Sequence, residues 1–336
     1  MKAAVVTAPG RSPIYADFHA PVANTGEELI SVRASGLSQF SKSRASGSHY
    51  SSDGGFPAVA GSDGVGITQD GRRVYFVLPE PPFGALAEIC PVRSNQCVEL
   101  PDSVDEITAA AIANPGMSAW AALVERAHLV TGETVLVNGA TGTAGRLAVQ
   151  LAKHLGAGKI IATGRNQEEL EEVKALGADI VIPFTLGMQH PSGAKDYENA
   201  LKQVFVSGIN VVIDYLWGES AKTVIVAIAK AAADATPVRF VHVGGASREE
   251  NIELPGAALR SSAIVLMGSG LKSVPLSGLL QAIRSVFEAV QPAGLKIATR
   301  VVPLSEVEGV WDKAAGKPRV VFSIGSPSND HAPHTA

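Results

Sequence analysis

The chain has 336 residues, 46% of them apolar and 18% charged, with a formal net charge of −4; that is enough for two domains and gives no electrostatic reason to expect a nucleic-acid partner. Its two cysteines, Cys90 and Cys97, make no disulfide framework and point to a reducing compartment, so a cytoplasmic protein is expected. The start, Met1-Lys2-Ala3-Ala4-Val5-Val6, lacks the apolar length of a signal peptide and reads as a first strand.

Residues 1 to about 100 carry a β pattern, with strands predicted at 2–7, 28–34, 73–78 and 84–90. Turns at Ala8-Pro9-Gly10, at Asp70-Gly71 and over 79–84 separate them. The stretch 38–55 is rich in Ser and Gly, and a structureless segment of that length is expected to be a functional loop or lid. Residues 105–124 read as a helix broken at Asn114-Pro115-Gly116, with Ser103 as N-cap and Glu106 closing a capping box. The uncharged run 107–124 is long enough to span a membrane, but the Pro-Gly break and the abundance of alanine argue against a span, and no membrane partner is expected.

The strongest signal begins at Thr134. A β-branched run, 134–138, meets the glycine-rich turn Gly139, Ala140, Thr141, Gly142, Thr143, Ala144, Gly145; a helix over 146–155 and a second apolar strand over 159–164 follow. This is the opening β-α-β of a dinucleotide-binding sheet, with a G-x-x-G-x-x-G variant of the usual spacing. Gly139 serves the tight turn, Gly142 leaves the backbone open to a pyrophosphate, and Gly145 lets the helix lie close to the strand. Helix N–H groups and the positive end of the helix dipole then face the phosphates. A structural glycine turn in some other α/β protein is the plainer alternative.

The second strand ends Gly164, Arg165, Asn166, with no acid at the position that binds the ribose hydroxyls in NAD-specific proteins. A guanidinium there matches a 2′-phosphate, so NADP(H) is the expected cofactor; otherwise Arg165 is a solvated residue and the cofactor is NAD. The rhythm continues with strands at 180–184, 210–216, 239–245 and 262–268 and helices at 197–206 and 219–232, completing six strands of a doubly wound sheet. A helix over 276–290 precedes short strands at 297–302 and 320–324, with a helix over 305–315 between them; these have no place in the six-strand sheet and are expected to return to the N-terminal β domain. The polar tail 325–336 is expected to be disordered.

Taken together, Asn114-Pro115-Gly116-Met117-Ser118-Ala119-Trp120, the turn 139–145, Ala162-Thr163-Gly164-Arg165, Leu176-Gly177-Ala178-Asp179, Val241-His242-Val243-Gly244-Gly245 and Met267-Gly268-Ser269-Gly270 resemble the medium-chain dehydrogenase/reductase superfamily. Within it, the closest resemblance is to the zinc-independent quinone oxidoreductase (zeta-crystallin-like) branch. The resemblance implies an α/β fold: a Rossmann domain with a doubly wound parallel sheet, here 116–269, and a β-rich GroES-like domain split between 1–115 and 270–336. It also implies NADPH and substrate bound in a cleft. Zinc-dependent relatives place a Cys after the second strand and a Gly-His-Glu downstream; here those positions read Gly36-Leu37-Ser38 and Gly61-Ser62-Asp63, and no His-x-x-x-His pair occurs, so no catalytic metal is expected.

Without zinc, hydride addition to an enone or quinone needs donors at the carbonyl oxygen and a proton source. Relatives use an Asn and a Tyr after the second strand; Ser38 stands at the Asn position, and Ser43 or Arg44 falls near the Tyr position. Ser38, Arg44 and Tyr50 are therefore the candidate donors, each with a solvated loop residue as the plainer reading. The resemblance assigns Ser118, Gly268, Ser269 and Gly270 to the nicotinamide end. Gly244, Gly245 and Leu216 follow strand ends at the ligand edge of the sheet, while His242 reads as a core histidine. The expected activity is NADPH-dependent reduction of a quinone or α,β-unsaturated carbonyl. The alternatives are an enoyl-thioester reductase and a catalytically weak NADPH-binding structural or RNA-binding protein. An apolar edge strand from Ala263 to Met267 predicts a homodimer.

Overall fold

The computed structural model describes residues 1–47, 55–314 and 317–325. The chain divides into two compact units, Met1–Ala111 with Ala298–Ala336, and Ile112–Ile297. The first begins β1 (Lys2–Val6), β2 (Ile14–Asp17), β3 (Glu27–Gly36), α1 (Gln39–Ala45), β4 (Ala58–Val59), β5 (Asp63–Ile67), β6 (Arg73–Val77), β7 (Ile89–Arg93) and β8 (Cys97–Glu99). Helix α2 (Glu106–Trp120) leads into the second unit: β9 (Thr134–Asn138), α3 (Thr143–His154), β10 (Lys159–Gly164), α4 (Gln167–Ala175), β11 (Ile180–Pro183), α5 (Gly193–Phe205), β12 (Val211–Asp214) and α6 (Gly218–Ala231). That unit ends with β13 (Val238–His242), α7 (Gly256–Arg260), β14 (Ile264–Gly268) and α8 (Leu276–Ala289). The chain then rejoins the first unit through β15 (Thr299–Pro303), α9 (Val307–Val310) and β16 (Arg319–Ser323).

In the second unit the six parallel strands run in the order β11-β10-β9-β12-β13-β14. This is the doubly wound order with its switch point beside β9. Strand β9 is buried along its whole length, as a central parallel strand covered on both faces must be, and its continuous apolar run follows from that. The first unit holds a three-stranded sheet, β2-β1-β4, and a seven-stranded one ordered β15-β16-β3-β5-β6-β8, with β7 paired to β3. The C-terminal strands do return to the N-terminal unit: β16 pairs antiparallel with β3, matching Val321 to Gly36 and Phe322 to Ser35.

Several sequence expectations shift. The second unit boundary lies at 297/298 rather than 269/270, because α8 packs on the second unit. A Cβ on Gly116 would stand 2.7 Å from Val286 of α8, and Gln150 exchanges two hydrogen bonds with the Lys296 backbone, at 3.0 and 2.7 Å. For the same reason α2 is not broken at Asn114-Pro115-Gly116: Pro115 sits inside the helix, and Gly116 is the contact with α8 rather than a stop. The helical run from Glu106 to Arg126 is long and apolar enough to cross a membrane by length and composition, and most of it is buried within the protein. The N-terminal cap is Asp105, whose carboxylate accepts from Thr108 N at 2.8 Å, and not Ser103. Strands β2, β4, β5 and β8 carry no clear alternation and are not among those expected, the strand expected at 84–90 lies later as β7, and α1 occupies part of the expected 38–55 loop. The tail beyond Gly325 lies outside the described residues.

A buried polar network ties the central strands together. Asn138 Oδ1 accepts from Thr163 Oγ1 at 2.7 Å and from Tyr197 Oη at 3.1 Å, while Asn138 Nδ2 donates to Asp214 Oδ1 at 2.8 Å. Asn138, Thr163 and Asp214 are all fully buried, so each lost partner leaves a polar atom without water. Asn138→Leu is therefore expected to destabilise the protein by about 3 kcal/mol, read as a lowered urea midpoint at unchanged m-value; an unshifted midpoint would show that the network carries no such energy.

Candidate functional site

Because the six strands of the second unit are parallel, their carboxyl ends share one edge. The residues expected to hold a dinucleotide lie at five of those ends: 139–145 after β9, 164–166 at the end of β10, Leu216 after β12, Gly244 and Gly245 after β13, and Gly268 to Gly270 at the end of β14. Ligands bind at this edge in open α/β sheets.

The glycines separate by what a side chain would meet. At Gly145 a Cβ would lie 2.4 Å from Gly139 O and 2.7 Å from Ala140 Cα, so the helix could not approach the turn. Gly139 has φ +86°, and a Cβ there would press on Leu216 at 2.9 Å. Gly142 differs. It caps α3 in an extended conformation with no side-chain hydrogen bond, and a Cβ would meet nothing closer than 3.6 Å. Gly245 and Gly268 likewise have open space where a side chain would go. Packing demands no glycine at these three positions. A bare cradle at a helix N-terminus fits a pyrophosphate, and the residues present thus fit the dinucleotide.

Arg165 is exposed directly after β10, with no acid at the strand end. At Gly164 a Cβ would stand 2.7 Å from Thr141 Cγ2, so the glycine admits the turn residue. Asn166 caps α4, its Oδ1 accepting from Glu168 N and Glu169 N at 2.9 and 3.2 Å. Ser118 donates to Pro115 O at 3.0 Å within α2. The Tyr215 phenol is buried, with no hydrogen-bond partner of good geometry among the described residues. Burial pushes its pKa up, and the nearby Ser118 hydroxyl draws it back. Gly268 O accepts from Arg126 Nε at 2.8 Å, Ser269 N donates to His242 O at 2.8 Å, and Gly270 N donates to Ser273 Oγ at 2.6 Å.

No sequence pattern marks the hub of this edge, Asp214. Besides Asn138, its carboxylate accepts from the backbone N–H of Leu216 at 3.1 Å and Trp217 at 3.1 Å. His242 Nδ1 lies 2.9 Å from Asp214 Oδ2, and its ring packs on Trp217 with centroids 4.5 Å apart. His242 is a partly exposed imidazole held by a buried carboxylate, not a core histidine.

In the first unit, Ser38 is the N-cap of α1, where its Oγ accepts from Ser41 N at 2.9 Å. Ser41 Oγ lies 2.9 Å from Ser38 Oγ and 2.7 Å from Ser62 Oγ, and Ser62 donates to Asp63 Oδ1 at 2.6 Å. Tyr75 Oη donates to the other carboxylate oxygen, Asp63 Oδ2, at 2.8 Å. Desolvation raises the Asp63 pKa most strongly; the bonds from Ser62 and Tyr75 and the charge of Arg319 pull it back. Arg44, in the last turn of α1, lines a cavity with Ser41, Ser62, Phe56, Phe83 and Pro81. The structure thus joins Ser38 to Ser41, Ser62 and Asp63 and sets Arg44 beside the same cavity; Tyr50 lies outside the described residues. Ser41 is not among the candidates, since a serine in a serine-rich stretch carries no pattern of its own. Among the described residues, no group of three or more His, Cys, Asp or Glu is placed to hold a metal ion.

Known proteins resemble this chain in sequence and in fold. The profile of a family described as "Zinc-binding dehydrogenase" matches residues 144–285. A protein of Emericella nidulans named "Probable NADPH-dependent quinone reductase" is 30% identical over 92% of this chain and 96% of its own. The chloroplastic "NADPH-dependent alkenal/one oxidoreductase" of Arabidopsis thaliana is 32% identical over 49% of this chain and 47% of its own. Among solved structures, a mycobacterial quinone oxidoreductase superposes with a TM-score of 0.81 at 22% identity, covering 96% of this chain and 99% of that one. The quinone oxidoreductase of Thermus thermophilus, whose structure was also solved with NADPH, gives 0.77 at 24% identity over 96% and 100%.

The contrast between two glycines of the elbow gives a direct check. Gly145→Ala forces a carbon against backbone and is expected to destabilise the fold by about 3 kcal/mol. Gly142→Ala has room and is expected to stay within about 0.5 kcal/mol of wild type, while weakening NADPH binding by roughly tenfold or more. Calorimetric melting beside titration with NADPH separates the two; equal dinucleotide affinity in Gly142→Ala and wild type would show that the cradle holds no phosphate.

Proposed function

Since the chain belongs to the quinone oxidoreductases of the medium-chain dehydrogenase/reductase superfamily, we propose that it is an NADPH-dependent reductase of quinones or α,β-unsaturated carbonyl compounds, working without a catalytic metal. The observation that carries the reading is the bare cradle at Gly142 followed by an exposed Arg165 with no strand-end acid. Its likeness over nearly its whole length to a protein named as an NADPH-dependent quinone reductase supports the same cofactor and substrate class.

Bound NADPH supplies the hydride in this chemistry. The chain's own residues do the rest. The amides at the start of α3 and its dipole would hold the pyrophosphate, and Arg165 would offer the 2′-phosphate a planar donor. Negative charge that develops on the substrate oxygen needs hydrogen-bond donors, and the hydroxyl cluster at Ser38 with Arg44 offers them. The metal-free reading rests on the donor set: Ser38 and Ser62 present neutral hydroxyls, both engaged with Ser41, poor ligands where zinc prefers thiolate or imidazole. The homodimer reading rests on β14, the last strand of its sheet, where Val265 is 46% and Leu266 39% exposed. A cytoplasmic location is supported by thiols suited to a reducing medium: Cys90 is buried, and burial pushes the Cys97 thiol up to about 12.

Steady-state NADPH oxidation against a panel of quinones, enones, enals and enoyl thioesters tests the activity; tight NADPH binding with no turnover of any of them would remove the reading. Arg165→Ala is expected to weaken NADPH by about 10- to 100-fold and to leave NADH nearly unchanged; equal losses would show that the guanidinium never meets a phosphate. Leu266→Asp is expected to convert a dimer to a monomer by light scattering, and a wild-type mass that stays monomeric at all concentrations would refute the dimer.

A further inference from the structure

We propose that Asp63, Ser62, Ser41 and Ser38 form a proton-delivery chain, with Asp63 as the acid and the Ser38 hydroxyl as the group that hands the proton to the substrate. The inference rests on the reductase reading above and adds its proton donor.

Four side chains are linked in sequence: Asp63 Oδ1 to Ser62 Oγ at 2.6 Å, Ser62 Oγ to Ser41 Oγ at 2.7 Å, and Ser41 Oγ to Ser38 Oγ at 2.9 Å. Three come from two loop-to-element junctions, Ser38 at the start of α1 and Ser62-Asp63 at the start of β5, and Ser41 bridges them from the first turn of α1. Asp63, Ser62 and Ser41 are each 2% exposed and Ser38 8%, so the four groups are largely shielded from bulk solvent, with Ser38 the most accessible. The bonds are therefore made in a low-dielectric surrounding, and they link Asp63 to Ser38 without a break.

The protonation of Asp63 sets the direction of every hydroxyl. With the carboxylate ionised, Ser62 donates to Asp63, Ser41 to Ser62, and Ser38 to Ser41, so the Ser38 hydrogen points inward. With the carboxyl protonated, Asp63 donates to Ser62, Ser62 to Ser41, and Ser41 to Ser38. Ser38 Oγ then accepts from both Ser41 Oγ and Ser41 N, and its own hydrogen is released outward. Only the second state offers a donor to an oxyanion. NADPH would supply a hydride to the electron-poor carbon, and the electron pair displaced onto the carbonyl oxygen would need a proton. The Ser38 O–H bond breaks to protonate that oxygen, and each neighbour passes one proton along until Asp63 is left as the carboxylate. Atoms and charge balance: NADPH becomes NADP⁺, the acceptor gains a hydride and a proton, and water returns the proton through the cavity that Ser41 and Ser62 line.

The surroundings of Asp63 suit a group that must hold a proton and then release it. Desolvation favours the neutral acid, while Tyr75 Oη on β6 and the buried Arg319 on β16 stabilise the carboxylate that remains. Among the described residues, Arg319 Nε and Nη2 have no hydrogen-bond partner.

The test joins turnover with a reading that needs none. In infrared difference spectra of the whole protein titrated with acid, a protonated carboxyl band is expected that Asp63→Asn abolishes and Ser62→Ala shifts. No such band at any pH would overturn the proposal whatever the activity. In turnover with NADPH and an enone, Asp63→Asn and Ser62→Ala are expected to lose about 100-fold in kcat with little change in KM. The wild-type rate should fall as pH rises through the Asp63 titration, and that limb should vanish in Asp63→Asn. Ser62→Thr, which keeps the hydroxyl, should recover most of the rate. Equal loss in Ser62→Thr and Ser62→Ala, or an unaltered pH profile in Asp63→Asn, would show a structural role only and overturn the proposal. A wild-type protein that shows the band yet reduces no quinone or enone would remove the reductase reading itself, and the acceptor for this proton with it.

Discussion

The close approach of α3 to β9 governs the geometry of the second unit. With 2.4 Å between the position of a Cβ on Gly145 and the oxygen of Gly139, only a hydrogen fits, and the helix must start within the turn itself. Its first N–H groups are thereby held at the carboxyl edge of the sheet, beside the switch in strand order where a crevice opens. The Asn138 network works from beneath. By tying the ends of β9, β10 and β12 through Thr163, Asp214 and Tyr197, it keeps the turns that follow those strands in fixed relation. A cradle for a charged ligand needs that rigidity, since donors that must reorganise on binding lose much of their advantage.

The first unit solves a different problem. It buries a carboxylate and a guanidinium, Asp63 and Arg319, within a β-rich core. Charges taken out of water are strongly unfavourable unless paired or bonded, and here Ser62 and Tyr75 occupy both carboxylate oxygens. The apolar core of this unit, with Phe76, Phe322, Ile30 and Trp311, supplies the stability against which such a group can be held.

The two units differ in how much of them could be read beforehand. A central parallel strand is buried on both faces, so β9, β10 and β12 appear as unbroken apolar runs, and the helices between them follow from simple periodicity. Strand β5, Asp-Gly-Val-Gly-Ile, has no such pattern. Its glycines are set by neighbours distant in sequence: a Cβ on Gly64 would strike the Phe76 ring at 2.9 Å, and one on Gly66 the Ser31 carbonyl at 2.4 Å. The same cause hid the continuity of α2, where Gly116 reads as a breaker but answers to Val286. Site residues divide likewise. The glycine-rich turn between β9 and α3 is local and is legible as a turn; the linkages of Asp214 to Asn138 and of Ser41 to Ser62 depend on pairings across 20 or more positions and, for Ser41, on a helix in a stretch that looked like loop.

A zinc ion and a hydroxyl chain answer the same chemical demand by different physics. The metal stabilises a developing oxyanion by charge and needs soft or imidazole ligands at two separated chain positions. In this chain those positions, Ser38 and Ser62, carry hydroxyls that are bridged by a third residue, Ser41, from a helix turn that a metal would not require. Replacing ligands by serines at random would leave polar atoms buried and unpaired, at a penalty of about 1–3 kcal/mol each. Here the hydroxyls of Ser38 and Ser62 have hydrogen-bond partners, and the line ends on a carboxyl whose pKa burial has raised. In the proposed mechanism such an arrangement puts a movable proton in the place of a fixed positive charge. A reaction whose acceptor takes up one hydride and one proton needs the second as much as the first, so a site built this way is suited to acceptors that are already electron-poor, such as quinones and enones, rather than to carbonyls that must first be polarised by a metal.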